Sequence, residues 1–328
     1  MKPYRFIPAA LAAIVTLTAC SDSPVAPAEN VFSKTAMSPG FARGGANRSY
    51  TFTRFDVPGA FQTVASGINA GGVVVGWYFQ GIGCPKAPCV VRGFILNDGV
   101  FTTVVYHNAA LTDAVFTQLR GVGPSGEIVG SYRMAGEPPV NIHGFMLTTG
   151  GEFVSVDYPG HTNTIPQRIL PDGTILGCYH DGDQGPTMHG MSSDKDGFSA
   201  FDMPMTMHNG ATPSGHRITG LFTDMTGKGR AYVLEDGVFT PFDAPNSVAT
   251  QAWDMSPSGT IVGLFVDDAA LQAHGFVLER GQFSTIDYPG SAYTDVFGIN
   301  ASGNLVGKFR ETANGPFHGY VAMGRAEE

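Results

Sequence analysis

One segment recurs six times along the chain, and a repeat of this length leaves few folds open. The fifth copy runs from Thr250 to Gly290 and reads TQAWDMSPSGTIVGLFVDDAALQAHGFVLERGQFSTIDYPG. Copies follow one another at roughly 40 to 50 residues, a period shared by helical solenoids and propeller blades. No helical periodicity occurs within a copy; each holds four short runs of strand character. In the fifth copy these are Thr250 to Met255, Thr260 to Phe265, Gly275 to Leu278 and Gln282 to Asp287. Gly, Pro, Ser and Asn join the first run to the second, as in Asn69-Ala70-Gly71-Gly72 and Ser256-Pro257-Ser258-Gly259. Asp98-Gly99, Asp236-Gly237 and Arg280-Gly281 join the third to the fourth, and Asp-Gly between apolar runs is a strong hairpin signal. The expectation is an all-β, six-bladed propeller of four-stranded antiparallel blades over residues 49–325.

Two-residue turns fix the register of the outer hairpins. They set His274 opposite Asp287, Arg230 opposite Asp243 and His189 opposite Asp202, and a turn one residue longer sets His143 opposite Asp157. A basic residue opening the third run thus faces an Asp closing the fourth, a pairing that contributes about 0.2–1 kcal/mol at a cross-strand site. The first copy breaks the rule, because Arg92 faces Val105. The sixth copy ends after its third run, and the missing strand lies at the other end of the domain, over residues 50–58. That strand is expected to complete the last blade and close the ring, with His318 facing Asp56.

Gly-Ile-Asn-Ala-Gly-Gly-Val-Val-Val-Gly at 67–76 and Gly-Ile-Asn-Ala-Ser-Gly-Asn-Leu-Val-Gly at 298–307, each followed by His-Gly-Phe or its variants, resemble the bacterial extracellular repeats called the HAF family. The resemblance covers roughly residues 49 to 325. It implies export and a repeat fold, and no particular reaction. Here the triplet reads His-Gly-Phe in the second and fifth copies, His-Gly-Tyr in the sixth and Arg-Ala-Tyr in the fourth.

Export is also written at the N-terminus. Lys2 and Arg5 precede an apolar run from Ile7 to Ala19, too short for a membrane span, which needs about 20 residues. The run ends in Leu17-Thr18-Ala19-Cys20, which resembles a lipobox. That resemblance implies cleavage of residues 1–19 and lipidation of Cys20, with multiple acyl chains giving stable anchoring. Ser21 in the next position implies transfer to the outer membrane, on its periplasmic face or at the cell surface. Residues 20–48, rich in Pro, Ala, Ser and Gly, read as a flexible tether. In an oxidising compartment Cys84 and Cys89 are expected to form a local disulfide, and Cys178 to be a buried thiol.

The chain carries a net charge of -9, against a general nucleic-acid binder. No G-x-S-x-G elbow, phosphate loop or H-E-x-x-H motif occurs. In a propeller of this order the short turns share one face and the long connections the other, so a ligand is expected among the long loops near the channel. Arg120, Arg168, Trp253 and Asp254 break the Gly-Ile pattern in strands that line the channel and are candidates for an anionic or sugar-like ligand. His180, Asp181 and Asp183 are candidate ligands for Ca²⁺, although the loop lacks the remaining positions of a calcium site; no other cofactor is expected. The recurrent His and Asp residues read as structural pairs. Two functions follow: a monomeric binding module for an envelope protein or glycan, anchored to the membrane by lipid alone, or a propeller glycoside hydrolase, lyase or lactonase.

Overall fold

The computed structural model describes residues 48–81, 89–181, 187–201, 203 and 205–326. The signal segment, Cys20 and the tether to Asn47 lie outside these, as do Cys84, Asp183 and Asp202. Every regular element described is a strand, in chain order β1 (Arg48–Phe55), β2 (Ala60–Ile68), β3 (Val74–Gln80), β4 (Val90–Asn97), β5 (Val100–Val104), β6 (Phe116–Val122), β7 (Ile128–Arg133), β8 (His143–Leu147), β9 (Phe153–Ser155), β10 (Asn163–Ile169), β11 (Ile175–His180) and β12 (Met188–Asp194). The second half continues with β13 (Gly197–Phe201), β14 (Thr206–Ala211), β15 (Arg217–Thr223), β16 (Gly229–Glu235), β17 (Val238–Phe242), β18 (Ser247–Met255), β19 (Ile261–Asp267), β20 (Ala273–Glu279), β21 (Gln282–Ile286), β22 (Tyr293–Ile299), β23 (Leu305–Arg310) and β24 (His318–Ala326).

Antiparallel pairing follows the repeat. Strands β2 to β5 pair in sequence order, as do β6 to β9, β10 to β13, β14 to β17 and β18 to β21. The last set is β22, β23, β24 and then β1. Single parallel bridges, Val91 with Phe116 and Ala273 with Tyr293, fuse neighbouring sets, giving two sheets of eight strands and two of four. Strand β1 lies along the whole of β24, with Phe52 opposite Ala322 and Phe55 opposite Gly319. Phe52 packs on Tyr320 with ring centroids 5.5 Å apart. The innermost strands touch in order, β2 on β6, β6 on β10, β10 on β14, β14 on β18, β18 on β22, and β22 on β2.

Two local rules produce this arrangement. The outer hairpins turn at Asp98-Gly99, Asp236-Gly237 and Arg280-Gly281 with positive φ at both positions, the geometry whose twist matches paired strands. The second strand of each set carries a Gly where the first strand's carbonyl comes closest. A Cβ at Gly220 would sit 1.8 Å from the Met207 oxygen, and one at Gly307 1.9 Å from that of Asp295.

The core lies between neighbouring sets and along the axis. Val262 and Val277 pack with Val296, Leu305 and Tyr320 across one boundary. Ala65, Val74 and Phe94 pack with Val306 and Val321 across the boundary joining the first set to the last. An axial cluster holds Trp77, Ile165, Cys178, Met207, Trp253 and Phe297. Fully burying a side chain of this size contributes about 1.5–3 kcal/mol, which is why aromatic and branched residues recur at these positions.

The outer hairpin registers agree with the sequence reading. His274 Nδ1 lies 2.9 Å from Asp287, His143 Nδ1 3.2 Å from Asp157, and His318 Nδ1 2.8 Å from Asp56. Arg230 bonds both oxygens of Asp243 at 3.1–3.2 Å. In the first set Arg92 instead donates to the Ala114 carbonyl at 2.6 Å. The expected Asp202 partner of His189 falls outside the described residues.

Candidate functional site

Each innermost strand carries a bulge at the same place. Its register slips at Ser66, Arg120, Gln167, Asn209, Trp253 and Phe297 in turn. A bulge leaves one residue out of the ladder and bends the strand. Here several freed carbonyls accept hydrogen bonds from one side chain near the axis. The residue after each bulge is Gly67, Gly121, Arg168, Gly210, Asp254 or Gly298. At two of these positions the inner strands are too close for a side chain: a Cβ at Gly121 would lie 2.5 Å from the Gln167 oxygen, and one at Gly210 2.6 Å from the Asp254 Cα.

Arg168 and Asp254 take the two exceptions, and they meet. Arg168 Nε lies 3.1 Å from Asp254 Oδ1. Arg168 Nη1 donates to the carbonyls of Arg120 and Gln167 at 3.0 and 2.8 Å. Its Nη2 donates to those of Ser66 and Trp253 at 3.2 and 3.4 Å, and to that of Phe297. One guanidinium therefore joins backbone from five repeats. Asp254 accepts the N–H of Met255 at 2.9 Å and of Ile299 at 3.1 Å. Burial pushes its carboxyl pKa up, and Arg168 opposes that shift. These two residues thus spend their hydrogen bonds on each other and on the backbone, not on an open ligand site.

Above this pair opens a pocket of about 140 Å³, with Arg168 and Asp254 in its lining. Its walls are Pro124, Pro171, Pro213 and Pro257, with Ile68 and Ile299 deeper. All four prolines sit in turns between first and second strands, so the mouth lies on the short-turn face. The sequence reading expects a ligand on the opposite face, among the long loops; this pocket lies on the other face, shaped by the closeness of the inner strand ends.

Arg120 and Trp253 are not at the mouth. Both are buried deeper, with the Arg120 guanidinium 4.7 Å over the Trp77 ring and bonded to Gln118. The Trp253 ring lies 4.9 Å from that of Phe297, tilted against it by 42°. The four candidates therefore split into a sealed pair and an interior pair. Beside the interior pair lies a group the sequence did not single out. Lys308 is buried, with Asp295 4.0 Å away and the Phe317 ring 4.6 Å away. Burial lifts the Asp295 pKa to about 6, against the pull of Lys308.

The loop cluster at 180–183 is only partly described. Asp181 is held by His189 Nε2 at 2.9 Å and by Thr187, with His161 3.7 Å away. His180 is buried. The calcium reading rests on Asp183, outside the described residues, and among the described residues no group of His, Cys, Asp and Glu is arranged to hold a metal. Cys178 is fully buried, and the Cys84–Cys89 pair cannot be placed because Cys84 lies outside the described residues.

Two recurrent devices went unread in the sequence. Thr63, Thr117, Thr164, Thr206, Thr250 and Thr294 are each fully buried and accept a backbone N–H at 2.9–3.0 Å, in most copies at the corner before their own strand. Each stands four residues before the Gly, Arg or Asp just described, a spacing visible on aligning the copies. The basic clamps also hold a second acid. His143 Nε2 reaches Glu137 at 3.2 Å and His274 Nε2 reaches Asp267 at 3.1 Å. The Asp157 hydrogen bond raises the His143 pKa, with Glu137 adding to it and burial opposing.

No family model and no curated protein matches the chain. Solved structures do. A gluconolactonase from Xanthomonas campestris is 13% identical over 84% of this chain and 90% of its own, with a TM-score of 0.52. A putative TolB from Agrobacterium tumefaciens is 15% identical over 85% and 98%, also at 0.52. A protein of unknown function from Dyadobacter fermentans is 13% identical over 85% and 99%, at 0.56. At these identities the likeness is one of fold alone, and with the pairing described above that fold is a β-propeller.

Proposed function

We infer that this protein is an extracytoplasmic binding module, a six-bladed β-propeller whose ring is closed by β1 and whose chain is tethered to the outer membrane through a lipidated Cys20. The pairing of β1 with β24 and the cyclic contact of inner strands support the closed ring. The His-Gly-Phe repeats support a place among HAF-type proteins, and the Cys84–Cys89 disulfide belongs to the same export reading. One observation carries the binding role: the recurrent ionisable side chains are committed to clamps, while the mouth over Arg168 and Asp254 stays open. A cup of this size, with apolar walls and a polar floor, fits a single sugar ring or one side chain of a partner protein.

Glycan-array binding by the full-length protein tests the reading, with Ala301→Trp placed to fill the mouth. Binding that is lost in Ala301→Trp, at an unchanged melting temperature, is the expected result. A second reading, a hydrolase or lactonase, is favoured by one feature, the buried Asp295 beside Lys308. Absence of binding together with turnover of a chromogenic sugar or lactone would reverse the order. Cys20→Ser is expected to move the protein from the membrane to the soluble fraction; an unchanged distribution would remove the lipid anchor from the proposal.

A further inference from the structure

The face opposite the mouth carries a device of its own. His143 opens β8 with a carboxylate on each ring nitrogen, Asp157 on Nδ1 and Glu137 on Nε2, both at 3.2 Å. His274 stands near the start of β20 in the same way, with Asp287 on Nδ1 at 2.9 Å and Asp267 on Nε2 at 3.1 Å. A neutral imidazole has one N–H and one bare lone pair, and an ionised carboxylate only accepts. Both bonds can therefore form together only on an imidazolium.

The second acid of each pair organises a connection between strands. Glu137 also accepts the Met134 N–H at 2.6 Å, and Asp267 those of Ala270 and Gln272 at 2.5 and 3.2 Å. These connections, residues 134–142 and 267–272, join second strands to third and so lie among the long loops. Each holds an apolar side chain out to solvent, Val140 at 50% exposed and Leu271 at 56%. Leu271 sits between the two amides bonded by Asp267, at a φ of 55° that bulky residues rarely adopt. The two sets involved are three places apart in the order of inner-strand contacts, β6, β10, β14, β18.

We propose that His143 and His274 are acid-set latches, which pin these two connections to the scaffold while the imidazoles are charged and release them when the proton leaves. On deprotonation one ring nitrogen turns a lone pair toward a carboxylate. Asp157 keeps the Gly144 N–H at 2.9 Å and the Ser155 hydroxyl at 3.0 Å, so the acid let go is Glu137 on the loop. The groups facing His143 set the direction of the switch. The Asp157 hydrogen bond raises its pKa, burial opposes, and the charges of Asp157 and Glu137 add to the rise. Tyr132, its ring 5.1 Å away, stays uncharged because burial pushes its phenol up. Arg133 holds the same loop through the Pro139 carbonyl at 3.1 Å and does not titrate. Beside His274 the stacked ring is Phe265, at 5.2 Å. The His143 latch is therefore closed below the ordinary imidazole value of about 6.5, and it opens as pH rises through the higher folded value. In acid the face presents Val140 and Leu271 in fixed places; in alkali it does not.

Amide hydrogen exchange of the full-length protein tests this, expressed as protection factors so that the intrinsic pH dependence is removed. Between pH 5.5 and 8.5, protection should fall about tenfold at Met134 and Asn141 and at Ala270 and Gln272, while β3 is unchanged. Glu137→Gln supplies an amide that can serve the ring in either charge state. It should flatten the response at Met134 and Asn141 and leave that at Ala270 and Gln272. If Glu137→Gln does not fold, Asp267→Asn makes the same test at the other connection. Protection independent of pH in the wild type overturns the proposal. So does a folded Glu137→Gln or Asp267→Asn that keeps the wild-type response at its own loop.

Discussion

Two buried titratable groups respond to acid in opposite directions. His208 is fully enclosed, bonds the Tyr232 hydroxyl, and has its pKa pushed by burial down to about 4. A depressed imidazole stabilises the fold above its unfolded pKa, and that stability is lost as pH falls toward 4. The shift corresponds to about 3 kcal/mol between pH 6.5 and 4. Asp295 does the reverse. Its raised pKa of about 6 costs stability at neutral pH, and the cost is relieved as pH falls through that value, by about 3 kcal/mol. The two terms should nearly cancel between pH 6 and 4. Urea denaturation across that range should show a shallow slope in the wild type and a steeper acid loss in Asp295→Asn. Equal slopes would mean that the Asp295 carboxyl titrates normally. His143 adds a third limb: its raised pKa contributes stability that is present below about 6.5 and lost as pH rises through the folded value.

The inner strand is the element that carries both the fold and the site. Its bulge sets five carbonyls at the Arg168 guanidinium, so removing that side chain strands buried acceptors and the Asp254 carboxylate together. Arg168→Met should cost about 3–5 kcal/mol in chemical denaturation, the range for breaking a buried pair on one side. Thr294→Val keeps the shape but loses the bond to the Tyr288 N–H, and should cost about 1–3 kcal/mol. A loss below half a unit in either would show that water replaces the bond. The outer hairpins were legible in advance because a two-residue turn fixes every partner beyond it, as at His274 and Asp287. The bulge was not legible, since one extra residue leaves no mark on a single copy. Nor was the meeting of Arg168 with Asp254, because a periodic sequence does not say which repeats face each other across an axis. The Thr positions could have been found by aligning copies, but Thr is so common in strands that its recurrence reads as propensity.

At the scale of the whole molecule, the two ends of the domain depend on each other. Strand β1 covers the edge of β24, and Phe55 packs on Phe94 and Phe101 of the first set at about 6 Å. Protein lacking residues 48–55 would expose that edge, a template for pairing with another chain. It should lose its single cooperative melt and elute as aggregate in size-exclusion chromatography. A monomer with an unchanged melt would show that β1 decorates the domain without completing it. The sequence announced this dependence through one missing run, because an unpaired third strand beside a spare N-terminal one has few other partners.

The guanidinium at the centre also limits how such a chain can evolve. Tandem arrays usually gain or shed copies freely, since each copy touches only its neighbours. Here a single side chain of fixed reach is bonded to backbone from five copies at once. Deleting the fifth copy would remove Asp254 along with the Trp253 carbonyl, and deleting the sixth would remove the Phe297 carbonyl. Loss of any of these copies would therefore leave that one arginine with a bond unmade.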